Sequence, residues 1–178
     1  MLALASTAAG GCSGADAEGG SARSRAAASE LPPARAAARV IRVVDGDTLK
    51  IRLGDGRRRS VRLIGIDTPE TVKPGTPVQC GGPEASAAMR VLAYERTHPR
   101  VKGRAVTLVA DPTQDRADRY GRLLAYVESG GRDLGRSLVE QGWARVRVYA
   151  GRFARLGDYR GQERRARGAG RGVWGRCG

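Results

Sequence analysis

The chain has 178 residues, enough for one domain with a real core and a tail, and too few for two ordinary domains. Thirty-two Lys and Arg, nearly all Arg, face eighteen Asp and Glu, and the net charge of +14 points to a polyanionic partner, nucleic acid before an anionic surface. Aromatic residues are only 4 % of the chain, which excludes a binder that works mainly by stacking bases on a broad aromatic platform.

From Met1 to Cys12 the chain is small and apolar, and residues 13–38 are Ala, Ser, Gly and Arg with Pro32-Pro33 and no apolar period, the composition of a disordered tether. The folded body, 39–178, is expected to open near Arg39 with a strand over Val40–Val44. A hairpin follows: Leu49, Ile51 and Leu53 alternate with Lys50 and Arg52, Gly54-Asp55-Gly56 turns, and Ser60–Ile66 returns. After a Gly/Pro-rich loop over Val72–Gly82, Pro83-Glu84 starts a helix whose stripe Ala85, Met89, Leu92 and Ala93 carries it to about Arg96. Strands are predicted over Ala105–Ala110 and Arg122–Val127. A helix is predicted from Asp133, burying Leu134, Leu138 and Val139 and stopped by Gly142 at C′, and an Arg-rich helix over about Phe153–Arg167. Five strands with about three helices read as an α+β, mainly β, fold: a small closed barrel of the five-stranded oligonucleotide/oligosaccharide-binding (OB) type.

The three cysteines are Cys12, Cys80 and Cys177; none forms a C-x-x-C pair and the single histidine is His98, so zinc is not expected. Cys80, in a Gly-rich loop, and Cys177, the penultimate residue, would suit a disulfide pinning the C-terminus in an oxidising compartment; two free thiols are the alternative. Met1–Cys12 resembles the end of a bacterial lipoprotein signal, with small residues before a cysteine to be lipidated, though it lacks a basic leader and is short. On this reading the protein is exported, extracellular or anchored to the cell envelope through Cys12, and a monomer.

Two acidic clusters, Asp45-Gly46-Asp47-Thr48 and Asp67-Thr68-Pro69-Glu70, flank the hairpin, which should return Asp67 to the neighbourhood of Asp47. Carboxylates gathered at one strand end repel unless a cation sits between them, so the pair reads as a metal site facing a phosphate. Hard oxygens with room for water suit Ca²⁺, or Mg²⁺ less selectively. Turn aspartates capping local N–H groups are the competing reading.

Val44-Asp45-Gly46-Asp47-Thr48, Arg62 to Thr71 (RLIGIDTPET), Gly82-Pro83-Glu84-Ala85, Asp118 to Arg122 (DRYGR) and Leu138 to Gly142 (LVEQG) together resemble the staphylococcal nuclease (thermonuclease) family. The resemblance runs in order from about Val40 to Trp174. It implies Ca²⁺ held by Asp47, Asp67 and the Thr68 carbonyl with Asp45 supporting them, and Arg62 and Arg122 as phosphate clamps. It also implies that Glu70 takes or orients the proton of the attacking water, and that Arg119 and Tyr120 contact the substrate's terminal phosphate and sugar-base end. The family's later aromatic pair is represented by Tyr149 alone in Arg147-Val148-Tyr149. The implied activity is Ca²⁺-dependent endonucleolytic hydrolysis of DNA and RNA with 3′-phosphate ends. Single strands are the expected preference, and low sequence specificity is expected because such a site grips phosphates and offers little to read base edges. A non-catalytic OB barrel that binds single strands is the rival reading. A structural envelope lipoprotein is a third, and it leaves the acidic clusters unexplained.

Overall fold

The computed structural model of the protein describes residues 31–71, 75, 77–97 and 100–177. Cys12, and the expected tether up to residue 30, lie outside the described residues, as does most of the loop over 72–76. Five strands close the barrel: β1 (Arg35–Val43), β2 (Thr48–Leu53), β3 (Arg58–Leu63), β7 (Ala105–Val109) and β8 (Leu123–Ser129). They run in the order β3-β2-β1-β7-β8, antiparallel throughout, and a parallel β3–β8 pairing (Val61↔Leu123 to Leu63↔Ala125) closes the ring. This is the OB barrel, with helices packed on it.

The alternation read in the hairpin fills the barrel: Leu49, Ile51, Val61 and Leu63 point inward and are at most 2 % exposed. Burying one such side chain contributes roughly 2 kcal/mol. Two-residue strands β4 (Ile66–Asp67) and β10 (Arg145–Val146) pair across the site end, Arg145 opposite Asp67. Strand β9 (Arg132–Asp133) pairs with β8. Three longer helices and a final turn complete the fold: α1 (Gly82–Ala93), α2 (Leu134–Glu140), α3 (Leu156–Gly168) and α4 (Val173–Arg176). Asp133 caps α2, its side chain accepting from Arg136 N, and Gly142 follows with φ +77° at the C′ position that favours glycine.

Several boundaries shift by a few residues from the expectation, and three of the shifts have a packing reason. Strand β1 begins at Arg35, ahead of the expected Arg39, because Ala36 and Ala38 alternate into the core, 9 % exposed each, opposite Leu108 and Val106. Helix α1 stops at Ala93, short of Arg96, since Tyr94–Thr97 (β5) pairs instead with Arg100–Gly103 (β6), and the Tyr94 hydroxyl accepts from Val43 N at 3.1 Å. The strand expected over Ser60–Ile66 breaks after Leu63, so that Ile66–Asp67 can join β10.

Cys80 and Cys177 are joined by a disulfide that encloses 97 residues of sequence separation, and Arg176 pairs with Glu84 at 2.9 Å beside it. Chain-entropy reasoning assigns a loop of this length about 4.7 kcal/mol, from restriction of the unfolded chain. Replacing both cysteines by Ser is therefore expected to lower unfolding stability by about 3 kcal/mol in urea titrations, allowing for native-state strain; an unchanged midpoint would show that the bond restrains little.

Candidate active site

The β1–β2 turn and the segment after β3 are held against each other at the end of the barrel. Leu63 N donates to the Asp47 carbonyl at 2.9 Å, and a side chain at Gly46 would lie 2.7 Å from Thr68 Cγ2. Glycine between the two aspartates is thus what permits the close approach of the acidic clusters. Asp47 is only 6 % exposed and its carboxylate is saturated with donors. Thr48 Oγ1 donates to Oδ1 at 2.9 Å, and Thr68 N and Oγ1 donate to Oδ2 at 3.0 and 3.1 Å. Asp45 lies behind it, its Oδ1 accepting from Asp47 N at 3.1 Å. Burial first, and then the neighbouring Asp47 charge, push the Asp45 carboxyl up to about 6.

Arg62, on β3 opposite Thr48 of β2, bridges the two acids. One terminal nitrogen forms an ion pair with Asp47 Oδ2 outside hydrogen-bonding alignment. The other donates to Asp67 Oδ1 at 3.0 Å and to the Tyr149 hydroxyl at 2.9 Å. Tyr149 completes the ring by donating to Asp67 Oδ1 at 2.8 Å. Burial alone would ease the proton off this guanidinium, but Asp47, Tyr149 and Asp67 outweigh it and hold its pKa above the ordinary value. The Asp47 arm matters most, because that carboxylate is 8 % exposed against 49 % for Asp67. Burial raises the Tyr149 hydroxyl to about 12, Arg62 opposing the shift and Asp67 adding to it, so it stays a proton donor.

A single cavity of about 240 Å³ is lined by Asp45, Asp47, Arg62, Asp67, Glu70 and Arg122, with Thr48, Thr68, Pro69 and Tyr149. Glu70 is half-buried; its Oε1 accepts from Thr71 N at 2.9 Å, and its own N–H donates to Gln79 Oε1 at 2.9 Å. Asp118 aims Arg122, accepting from its Nε at 2.7 Å and its backbone N at 3.0 Å. Arg119 and Tyr120 do not line this cavity. They line an adjoining hollow of about 500 Å³ that shares Arg62, Arg122 and Tyr149 with it, and there Arg119 donates to the Tyr120 hydroxyl at 2.7 Å. Arg147 also lines the hollow, 5.8 Å from the Tyr149 ring.

Sequence reasoning missed the residues that place Tyr149. Asp111, 2 % exposed, accepts from Thr113 N and Oγ1 at 2.8 and 2.7 Å, from Ala154 N at 2.7 Å, and from the Tyr126 hydroxyl. Thr113 Oγ1 and Gln114 Nε2 then reach the carbonyls of Arg152 and Ala150 at 2.8 and 3.1 Å, tying down the segment after Tyr149. The Asp-Pro-Thr following β7 is an Asx-turn signal and could have marked Asp111.

Among the described residues no three His, Cys, Asp or Glu side chains are grouped to hold a metal ion. Two carboxylates, Asp47 and Asp67, share one cation, and that cation is the Arg62 guanidinium. The donor chemistry nonetheless fits a hard divalent ion: oxygen only, two carboxylates, and an open cavity with room for water ligands. Residues 60–176 match the family of staphylococcal nuclease homologues. The chain belongs to the staphylococcal nuclease family. It is 43 % identical to a Thermonuclease of Staphylococcus hyicus over 111 residues, 62 % of this chain and 59 % of that protein. It is 36 % identical over 138 residues to Endonuclease YncB of Bacillus subtilis, 77 % of this chain and 61 % of that protein. The SPbeta prophage-derived endonuclease YokF of the same species is 36 % identical over 138 residues, 77 % of this chain and 43 % of its own length. The chain thus spans about three-fifths, or less, of the length of these staphylococcal nuclease relatives.

Asp111 gives a test of the anchored segment. Burial would raise its carboxyl, but the Tyr126 and Thr113 hydroxyls and the Thr113 and Ala154 N–H groups hold it below its ordinary value of 3.8. The folded value lies below the unfolded one, so its contribution is complete above that ordinary value and is lost as pH falls through the folded value. Asp111→Asn is expected to cost about 2 kcal/mol at neutral pH by stranding donors. In urea titrations at falling pH, the gap between variant and parent should shrink below about pH 4; a gap independent of pH would remove Asp111 from this role.

Proposed function

We propose that this protein is a Ca²⁺-dependent endonuclease that hydrolyses phosphodiester bonds of DNA and RNA with low sequence specificity, leaving 3′-phosphate ends. The observation that carries the reading is the single cavity into which Asp47, Asp67, Glu70, Arg62 and Arg122 all open. The nuclease and endonuclease names of its relatives support the same reaction class.

Asp47, Asp67 and the Thr68 carbonyl are the proposed Ca²⁺ ligands. Asp45 steadies them through its bond to Asp47 N. The bound ion would supply positive charge against the phosphate oxygens and lower the barrier to water attack. Arg62 and Arg122, at the rim of the same cavity, grip the non-bridging oxygens, where negative charge grows as phosphorus becomes five-coordinate. Asp118 holds Arg122 by Nε and so fixes the plane of its guanidinium. Glu70 accepts a proton from the water whose oxygen attacks phosphorus. The bond from phosphorus to the 5′ oxygen breaks, that oxygen takes a proton from solvent, and the phosphate stays on the 3′ side.

Arg119 and Tyr120, in the adjoining hollow, take the neighbouring phosphate and the sugar-base end. With Phe153 buried, Tyr120 and Tyr149 offer the exposed rings of this hollow and several Arg offer phosphate contacts, so the site has little with which to read base edges, which accounts for low specificity. The Cys80–Cys177 bond fits an exported, monomeric enzyme working in an oxidising compartment, with Cys12 as a lipid-anchor site. Among the described residues no helix is long and apolar enough to cross a membrane.

Purified protein should degrade single-stranded DNA in Ca²⁺ and stop when a chelator is added. Glu70→Ala should still bind the strand while cutting it about a hundredfold more slowly, the scale of a lost proton acceptor. Undiminished cutting in chelator would remove the metal, and binding without any cutting by the parent protein would favour a non-catalytic barrel.

A further inference from the structure

The outer face of the sheet β1–β2–β3 carries a field of cations that the catalytic cavity does not use. Inward residues of these strands (Val40, Val43, Leu49, Ile51, Leu53 and Val61) fill the barrel. On the opposite face the register sets Arg39 beside Arg52 and Arg52 beside Arg58, an arginine on each of three adjacent strands. The next row sets Arg42 beside Lys50 and Lys50 beside Ser60. A bulge between Val40 and Arg42 places two residues against one, so that Arg42 lies outward while Val43 stays in the core. The third row is Thr48 beside Arg62, at the catalytic cavity. The rows therefore lead in steps of about 7 Å along the strands to the guanidinium that faces the scissile phosphate.

Adjacent strands lie about 5 Å apart, and like charges directly opposite each other destabilise a sheet. Acids relieve cations elsewhere in this fold: Arg35 pairs with Glu128, Arg57 with Asp55, and Arg136 with Asp158. Among the described residues none of Arg39, Arg42, Lys50, Arg52 and Arg58 has an ion-pair partner, and all five are exposed. A hollow of about 560 Å³ lies at the far end of the face, with Arg39, Arg52, Ile41 and Gly54 among its lining residues. Ile41, at 38 %, is the exposed large apolar side chain of this face, and strands β1, β2 and β3 carry no aromatic side chain to read a base. The face therefore offers phosphate contacts and little else, and the corresponding side of OB barrels is a common seat for oligonucleotides.

We propose that the outer β1–β2–β3 face binds the phosphate backbone of the same polynucleotide strand that is cut at Arg62, with Arg39, Arg42, Lys50, Arg52 and Arg58 as its contacts. This rests on the nuclease reading for the strand's destination. The field draws long polymers to the site without regard to sequence, and its cost is the mutual repulsion of the arginine row.

The test compares the parent with the triple variant Arg39→Gln, Arg52→Gln, Arg58→Gln. With Ca²⁺, kcat/KM on long single-stranded DNA is expected to fall at least tenfold, while a dinucleotide is cut at the parental rate within a factor of two. With chelator and no cleavage, affinity for a 20-nucleotide strand should fall, and the slope of log affinity against log salt should become shallower by about 2, the value for three phosphate contacts on a single strand. The melting temperature should change little, since the Arg39 bond to the Gly103 carbonyl is lost while repulsion is removed; a large drop would mark the row as structural and overturn the proposal. Equal 20-mer affinity and slope would overturn it as well. So would loss of binding to phosphatidylglycerol vesicles with 20-mer binding intact, which would make the face a membrane surface. If the parent cuts neither substrate the nuclease reading fails, while the 20-mer comparison still decides whether this face binds the strand.

Discussion

Arg62 bridging Asp47 and Asp67 is the contact around which the site is organised. Two carboxylates at the end of a barrel, one of them almost fully buried, need a positive charge between them. In the protein by itself the guanidinium supplies it, and Tyr149 closes the ring through its bonds to both Arg62 and Asp67. The same arrangement explains why an arginine proposed to grip phosphate can stand beside the proposed metal ligands: Arg62 and the two carboxylates neutralise one another. On the proposed reading, phosphate and a divalent ion enter together and divide the pair, the phosphate taking Arg62 and the ion taking the carboxylates.

Other parts of the fold hold this contact in place. Gly46 lets the β1–β2 turn lie on Thr68, whose N–H and hydroxyl saturate Asp47. The β4–β10 pairing sets Asp67 beside Arg145 and starts the segment that carries Tyr149. Asp111, through Thr113 and the neighbouring Gln114, ties that segment to the loop after β7 and, through Tyr126, to β8. The disulfide and the Arg176–Glu84 pair fasten the last turn of chain to α1, next to the loop that bears Glu70 and Gln79. The cavity is thus lined partly from strands, Arg62 on β3 and Asp67 on β4, and partly from the loops and turns that bear Asp45, Asp47 and Glu70.

Much of this was legible in the sequence because the signals were local. Alternation from Leu49 to Leu53 and the Gly-Asp-Gly turn define the hairpin, and the hairpin alone implies that Asp47 and Asp67 meet. Asp133 and Gly142 bound α2 by capping chemistry that acts within one turn. Long-range facts were harder to read. Ala36 and Ala38 are core residues but look like the Ala-rich run before them, and only pairing with β7 distinguishes them. Tyr94–Thr97 leaves the helix because a strand partner waits at Arg100–Gly103, which no helical periodicity reveals. Arg62 reads as a phosphate clamp from its motif, whereas its hold on both aspartates follows from register across β2 and β3 and the later loop. Asp111 was missed since its partners Tyr126 and Ala154 lie 15 and 43 residues away.

On the proposed reading one carboxylate pair, buried Asp47 and half-exposed Asp67, holds Arg62 and, when phosphate is bound, a divalent ion instead. Calorimetric titration of Ca²⁺, with and without a short non-hydrolysable oligonucleotide, tests it most directly, because linked ligands must each tighten the other. The account predicts one Ca²⁺ per chain, bound more tightly in the presence of the oligonucleotide and lost in the Asp47→Asn, Asp67→Asn double variant. Ca²⁺ affinity indifferent to the oligonucleotide, or undiminished in that variant, would contradict it.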